Sequence, residues 1–169
     1  MPHWEISIAL EHKGEVVDGV VFDAAKDEMF YAEKGQGAWL NGSQRLRVSG
    51  RAKMSDAVYA TGLPFGPRPY LPAAQQDLAR LLPQCSGVRR WGVASLDLAY
   101  VAAGRYEGYW ERGVKVWDIA AGLILVREAG GFVEPVLQGA SIFESGGIIA
   151  GNNALFDAFR ETIRERSAA

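Results

Sequence analysis

The stretch Trp4-Glu5-Ile6-Ser7-Ile8-Ala9-Leu10 alternates between large apolar residues and smaller or charged ones. Because successive side chains of a strand point to opposite faces of a sheet, this period of two predicts a half-buried β-strand. Two further strands are predicted at Val16 to Phe22 and at Met29 to Ala32, each after a short turn. Consecutive strands joined by short turns are typical of an antiparallel meander.

A hairpin signal extends this meander. Asn41-Gly42 lies between two short apolar segments, Ala38 to Leu40 and Leu46 to Val48, and an Asn-Gly pair favours a tight hairpin turn. We therefore predict that residues 1–50 form the meander. One apolar face of such a sheet must be covered by a second layer. We expect part of that cover from the rest of the chain, and the remainder from a missing segment or another subunit.

Residues 51–169 alternate between strand and helix patterns, which predicts an α/β part. After a Pro/Gly-rich loop at Leu63 to Pro72, the expected fold is a layered α/β sandwich in which helices pack on a mixed sheet. The strands are predicted at Tyr59 to Gly62, Val88 to Trp91, Tyr106 to Glu111, Phe132 to Glu134 and Ile148 to Ala150. The helices are predicted at Ala73 to Leu82, Leu96 to Ala103, Asp118 to Ala129 and Asn153 to Glu165.

Composition limits the classes of function. A length of 169 residues suits one ordinary domain, and a formal charge of −2 argues against nucleic-acid binding, which usually needs a basic excess. Cys85 is the single cysteine of the sequence, so no intramolecular disulfide can form, and a reducing cytoplasm is the expected compartment. No apolar run is long enough to cross a membrane.

Three features are candidates for chemistry. Asp118 opens a predicted helix, where a carboxylate serves either as a cap or as a ligand for a hard cation such as Mg²⁺. Glu111 ends a predicted strand, as a solvated residue or as an acceptor for substrate hydroxyls. Gly92-Val93-Ala94 precedes a helix that Ser95 is predicted to cap, and it is either an ordinary turn or a source of backbone N–H groups for a polar ligand.

These features belong to a longer pattern of segments. Their order and spacing resemble the inositol monophosphatase family, the Mg²⁺-dependent, lithium-sensitive sugar-phosphate phosphatases, over essentially the whole chain. The matching segments are Gly19-Val20-Val21-Phe22, Ala32-Glu33-Lys34-Gly35-Gln36-Gly37-Ala38-Trp39-Leu40-Asn41-Gly42, Gly92-Val93-Ala94, Glu111, Trp117-Asp118-Ile119-Ala120-Ala121-Gly122, Glu128-Ala129-Gly130-Gly131 and Ala150-Gly151-Asn152.

The resemblance implies a role for each candidate residue. Asp118 would bind Mg²⁺ close to the attacked phosphate, and Glu111 would accept a hydrogen bond from a substrate hydroxyl. The turn formed by Gly92, Val93 and Ala94 would contact the substrate. Val93 stands where the family commonly has a hydroxyl-bearing residue, so a side-chain contact is not expected there. No residue of this chain is assigned as a catalytic acid or base.

The sequence also departs from the family. The Asp-Pro-x-Asp-Gly-Thr segment and an upstream glutamate, which supply most of the family's metal ligands, would precede Pro2. Residues 1–169 are therefore expected to be the C-terminal part of an inositol monophosphatase-like unit, with little activity alone. The complete enzyme would hydrolyse a small inositol or sugar phosphate monoester, as a homodimer, with neither nucleic acid nor membrane as partner. Two alternatives stay open: a non-catalytic dimerising or binding remnant, and a phosphatase for adenosine bisphosphate or fructose bisphosphate.

Overall fold

The computed structural model describes residues 2–63 and 69–164. In this part of the chain two five-stranded sheets sandwich a pair of helices, and two more helices pack on the outside of the second sheet. The predicted layered α/β sandwich is therefore confirmed. None of the described helices combines the length and the apolar character needed to cross a membrane.

The first sheet is an antiparallel meander in which each strand pairs with the next along the chain. Its strands are β1 (Glu5–His12), β2 (Glu15–Asp23), β3 (Glu28–Glu33), β4 (Gly37–Leu40) and β5 (Gln44–Arg45). The predicted meander is confirmed.

The end of the predicted hairpin was wrong by two residues. The strand that follows Asn41-Gly42 is Gln44–Arg45, not Leu46 to Val48. Asn41 and Gly42 both have positive φ, 50° and 76°, so the turn closes tightly and pairing resumes at once. The chain then leaves the sheet, because the N–H of Val48 donates to the carbonyl of Ala129 at the end of a helix instead of to a strand.

The second sheet is mixed and has the order β7-β6-β8-β10-β9. The middle strand β8 is parallel to β6 and antiparallel to β10. These strands are β6 (Val58–Thr61), β7 (Gly87–Arg89), β8 (Gly108–Arg112), β9 (Phe132–Pro135) and β10 (Gly147–Gly151). All five had been predicted to within a few residues.

The helices are α1 (Leu71–Leu81), α2 (Ala94–Ala102), α3 (Val116–Glu128), α4 (Ile142–Ser145) and α5 (Phe156–Ile163). Helix α4 was not predicted, because a single turn shows no helical period. Helix α5 begins three residues later than predicted, since the Asn152 side chain holds the preceding loop by accepting the Leu155 N–H and donating to two carbonyls. Of the predicted Leu63 to Pro72 loop, residues 64–68 lie outside the described residues, and Leu71 and Pro72 belong to α1.

Small residues let α3 lie deep between the sheets. A Cβ on Gly19 of β2 would lie 2.6 Å from Cγ2 of Ile124, and one on Gly122 would lie 2.5 Å from Cβ of Leu98 in α2. Real side chains do not approach so closely, so glycine is required at both contacts. This packing fixes the start of α3, and with it Asp118, beside the start of α2.

Candidate active site

The candidate residues meet where four elements converge: the end of β8, the starts of α2 and α3, and the start of β1. Glu111 is the penultimate residue of β8, and a short loop leads from it to Asp118 in the first turn of α3. The two carboxylates are close enough for the charge of Asp118 to raise the pKa of Glu111. The structure therefore brings together the two acids singled out in the sequence.

Glu111 is buried, with 9% of its surface exposed, so the alternative of a solvated strand end is wrong. Burial raises the pKa of its carboxyl, and the hydroxyl of Tyr109, which donates a hydrogen bond to Oε2, acts in the opposite direction. Tyr109 itself is fully buried. Gly62 leaves room for this carboxylate, because a Cβ there would lie 2.1 Å from Oε2 of Glu111. The acid is thus held in one orientation from two sides.

Asp118 is half-buried and acts as a helix cap. Its Oδ2 accepts the backbone N–H of Lys115 at 2.9 Å, which satisfies one of the free donors at the start of α3. The cap alternative from the sequence is therefore observed. Nothing in this bond excludes a second partner, because a carboxylate has two oxygens and several lone pairs. The metal-binding role stays a prediction.

The turn before α2 combines a left-handed glycine with an extended N-cap residue, and its contact with a substrate stays a prediction. Gly92 has a φ of 86°, which favours glycine, and Val93 is the N-cap residue with an extended backbone. The predicted capping by Ser95 was wrong. Ser95 lies inside the first turn and is buried, and its hydroxyl donates to Oε1 of Glu5 in β1 at 2.7 Å.

Two further acids line this region and were missed in the sequence. Asp97 in α2 is 1% exposed, and neither carboxylate oxygen has a hydrogen-bond partner among the described residues. Burial raises the pKa of Asp97 to about 8, and the charge of Glu111 acts in the same direction. Burial likewise raises the pKa of Glu5, with the Ser95 hydrogen bond opposing and Asp118 adding to the rise.

The sequence signals that could have identified the missed residues Tyr109, Asp97 and Glu5 differ. Tyr109 lies two residues before Glu111 and hence on the same face of β8, so strand alternation could have found it. Asp97 sits among apolar residues of α2 with no motif around it, and Glu5 was assigned only to the alternation of the first strand. Their proximity to Glu111 and Asp118 depends on tertiary packing that the sequence does not display.

The described residues do not fit a Mg²⁺ ion on their own. Glu5, Asp118, Glu111 and Asp97 form an electrostatically linked row of acids. Yet no group of three or more His, Cys, Asp or Glu residues in the described ranges has a geometry that could hold a metal. Mg²⁺ gives up water reluctantly, so one carboxylate makes a weak site. An anionic phosphate would also be repelled by the ionised members of this row, so further positive charge is needed.

Comparison with known proteins decides the family. A sequence model described as "Inositol monophosphatase family" matches residues 1–168, almost the whole chain. The chain belongs to the inositol monophosphatase family. The resemblance drawn from the Trp117-to-Gly122 segment and its companions is thereby confirmed.

Members of the inositol monophosphatase family with curated names are close in sequence. The Rhizobium meliloti protein "Inositol-1-monophosphatase" is 48% identical over 164 residues, which are 97% of this chain and 61% of the relative. The Pseudomonas aeruginosa protein "Nus factor SuhB" is 46% identical over 166 residues, again 97% of this chain and 61% of the relative. This chain therefore spans less than two thirds of the length of these relatives.

A solved member of the family has the same fold. The crystal structure of "extragenic suppressor protein suhB" from Bartonella henselae superposes with a TM-score of 0.90 and 44% identity, covering 95% of this chain and 62% of that one. The inositol monophosphatase fold of the matched region is thus shown. The assignment of residues 1–169 as a C-terminal part, and the roles of individual site residues, stay predictions.

Proposed function

We propose that this chain supplies the substrate-facing half of a phosphatase that hydrolyses inositol or sugar phosphate monoesters. The observation that carries the proposal is the buried Glu111 carboxylate, which is oriented by Tyr109 and lies beside Asp118. Family membership supports the reaction class, and the Rhizobium meliloti relative carries the name of that activity.

The chain's own residues would bind and orient the substrate. Glu111 would accept hydrogen bonds from hydroxyls of the polyol, because an ionised carboxylate is an acceptor only. The backbone around Gly92, Val93 and Ala94 would offer N–H groups at the start of α2 to polar substrate atoms. Val93 has no hydroxyl, so this contact would involve the backbone alone.

The metal requirement would be met by a completed site. Asp118 would contribute one oxygen ligand, and the other ligands would come from polypeptide outside the residues described. Mg²⁺ is the cofactor that the resemblance implies, and it would supply the positive charge that a phosphate needs beside ionised carboxylates. We further propose that the complete protein acts in the cytoplasm as a homodimer on a small-molecule substrate.

The choice of substrate follows from Glu111. A buried carboxylate acceptor favours a polyol with several hydroxyls, such as inositol 1-phosphate, over adenosine bisphosphate, whose base offers a flat apolar surface. Fructose bisphosphate also carries hydroxyls and is the closer competitor. The three substrates should be compared by kcat/KM, which measures discrimination directly.

A chimera tests the proposal. The part of the Rhizobium meliloti relative that lies outside the match is joined to this chain in the order in which the relative carries it. With millimolar Mg²⁺, we expect the chimera to release phosphate from inositol 1-phosphate and the 169-residue chain to release little or none. Glu111→Gln should raise KM about tenfold through the weakened hydroxyl contact. Glu144→Gln, at an exposed site, is the matched control.

Two results would contradict this function. A folded chimera that binds its metal and releases no phosphate from any of the three substrates would remove the phosphatase assignment. Robust, lithium-inhibited turnover by the isolated chain would show that its site is complete and that the expectation of missing ligands is wrong.

A second candidate is a non-catalytic binding protein. The absence of a three-ligand group among the described residues favours it, and so does the name "Nus factor SuhB" of a relative that is 46% identical. A stable dimer of this chain, inactive alone and in the chimera, would support this alternative over the phosphatase.

A further inference from the structure

The strand β8, which carries Glu111, is supported differently on its two faces. Successive side chains of a strand point to opposite faces, so Tyr109 and Glu111 lie on the face that packs towards α2 and α3. Trp110 and Arg112 lie on the other face, where α1 and α5 pack. On the first face, Tyr109 and Gly62 hold the Glu111 carboxylate directly. On the second face, whatever holds the two chain neighbours of Glu111 also holds its backbone.

Both neighbours of Glu111 bind one buried carboxylate, that of Asp77 in α1. The indole Nε1 of Trp110 donates to Oδ2 of Asp77 at 3.2 Å, and the guanidinium of Arg112 donates to both oxygens of the same carboxylate. The Asp77 side chain is fully buried, and only 11% of the Arg112 side chain is exposed. Hydrogen bonds between charged groups are strong where water is excluded, so these contacts fix the residues directly before and after Glu111.

The backbone of β8 is paired with a neighbouring strand on one side only at Glu111. Among the described residues, β6 pairs with β8 only as far as Trp110, whose partner is Thr61. Beyond that point β8 pairs with β10 alone, and Ile148 lies opposite Glu111. A segment with fewer contacts opens more easily, so the end of β8 needs support from elsewhere. The two contacts to Asp77 give this support where β6 no longer does.

We propose that Asp77 is a positioning residue for substrate binding, because it holds β8 on both sides of Glu111 and so keeps the Glu111 carboxylate in place for substrate hydroxyls. This role rests on the proposed function, in which Glu111 is the acceptor. Stability alone does not explain the buried ion pair, since apolar residues of similar volume often stabilise a core as well. Asp77 also accepts a hydrogen bond at 2.6 Å from Arg80, which lies in α1 itself. This second arginine provides an internal comparison.

Two arginine variants of the chimera described above separate positioning from general stability. Arg112→Gln removes the ionic contact between Asp77 and β8, whereas Arg80→Gln, the matched control, removes an ionic contact of the same carboxylate within α1. We expect Arg112→Gln to raise KM for inositol 1-phosphate about three- to tenfold and to change kcat less than about twofold, because it weakens substrate binding. Arg80→Gln should leave both constants within about twofold. Asp77→Asn should act like Arg112→Gln. If circular dichroism shows that either variant is unfolded, Trp110→Phe, which removes the other donor, carries the same prediction.

A double-mutant cycle shows whether this effect passes through Glu111. In a Glu111→Gln background, Arg112→Gln should raise KM by less than about 1.5-fold, because the carboxylate that it positions is already gone. The same rise in KM as in the wild-type background would overturn the proposal, since Arg112 would then act independently of Glu111. Equal effects of Arg80→Gln and Arg112→Gln on KM would overturn it as well, because they would reflect a general loss of packing.

A proton signal of the isolated chain tests the positioning without turnover. The Tyr109 hydroxyl donates to Glu111, and its ¹H NMR resonance, identified by its loss in Tyr109→Phe, reports how fast this hydrogen bond opens. We expect exchange with water to be at least about tenfold faster in Arg112→Gln and unchanged in Arg80→Gln, because movement of β8 opens the bond. Unchanged exchange in Arg112→Gln, or a wild-type proton that exchanges too fast to be observed, would overturn the proposal. Faster exchange together with an inactive chimera would support the positioning and count against the phosphatase function.

Discussion

Asp97→Asn should change how the stability of this protein depends on pH. The carboxyl is 1% exposed, and burial raises its pKa from 3.8 to about 8. The groups that face it are Glu111 and Tyr109 on β8 and Tyr106 just before that strand. Between the unfolded and the folded pKa, the folded protein binds the proton more tightly than the unfolded chain. The free energy of unfolding therefore falls as the pH rises through this window.

The size of the effect follows from the shift. Each pKa unit corresponds to about 1.4 kcal/mol, so titration of Asp97 between about pH 5 and about pH 8 contributes at most on the order of 4 kcal/mol. Entry of water would reduce this value. Asparagine has nearly the same shape and no charge to desolvate, so the variant should be less sensitive to pH. We expect the plots of unfolding free energy against pH for the wild type and for Asp97→Asn to converge or cross near neutral pH, with the wild type more stable in acid.

Urea unfolding followed by circular dichroism at several pH values measures this difference. Glu5 and Glu111 also have raised pKa values and remain in the variant, so the informative quantity is the wild-type value minus the variant value at each pH. Asp27→Asn, at an exposed turn, is the matched control and should run parallel to the wild type. Parallel curves for Asp97→Asn would refute the reasoning that this carboxyl is buried and uncharged at neutral pH.

Three more substitutions test the packing around the site. Gly19→Ala places a Cβ 2.6 Å from a side-chain atom of α3, so it should lower the melting temperature and cost about 1–3 kcal/mol of stability. Gly50→Ala is the control, because a Cβ there meets open space and should change the melting temperature little. Tyr109→Phe leaves Glu111 without its buried hydrogen-bond donor and should lower the free energy of unfolding by about 1–3 kcal/mol. An unchanged midpoint of urea unfolding would show that a water molecule replaces the hydroxyl. Asp77→Ala removes the fully buried partner of two arginines and a tryptophan, and it should lower the free energy of unfolding by about 3–5 kcal/mol. A decrease below about 1 kcal/mol would mean that both arginine side chains become hydrated in the variant.

Local patterns were enough to predict most of the fold. The alternation from Trp4 to Leu10 gave the first strand because a period of two reflects only the geometry of a pleated chain. The Asn41-Gly42 turn was found because an Asn-Gly pair favours the positive φ angles of a tight hairpin, but the strand after it was misplaced. Val48 bonds to the end of α3 across the fold, and no local pattern reports such a long-range hydrogen bond.

The candidate site was only partly visible in the sequence. Glu111 and Asp118 were found through the family pattern, and the structure places them together. Asp97 and Gly62 were missed because their importance arises from contacts between elements distant in sequence. Asp97 of α2 interacts electrostatically with Glu111, and Gly62, just after β6, leaves space for that side chain. Ser95 was assigned as a cap from its position alone, whereas its hydroxyl binds Glu5 of a strand ninety residues earlier.

One expectation about the first sheet was wrong. The face that carries Trp4, Ile6, Ile8 and Leu10 was expected to be covered in part by the rest of the chain. Helix α3 instead packs on the opposite face, against Gly19, and Ile8 is 64% exposed. The sequence could not show which face of the sheet the helices would cover, because strand periodicity indicates only which face is apolar.

Mn²⁺ binding, followed by the loss of the free-ion signal in electron paramagnetic resonance, tests most directly whether Asp118 is one ligand of a site completed by other polypeptide. Mn²⁺ shares the oxygen-ligand preference of Mg²⁺. We predict that the isolated chain leaves the signal of millimolar Mn²⁺ unchanged, that the chimera reduces it, and that Asp118→Asn in the chimera restores it. Tight Mn²⁺ binding by the isolated chain, or binding by the chimera that is insensitive to Asp118→Asn, would contradict the account.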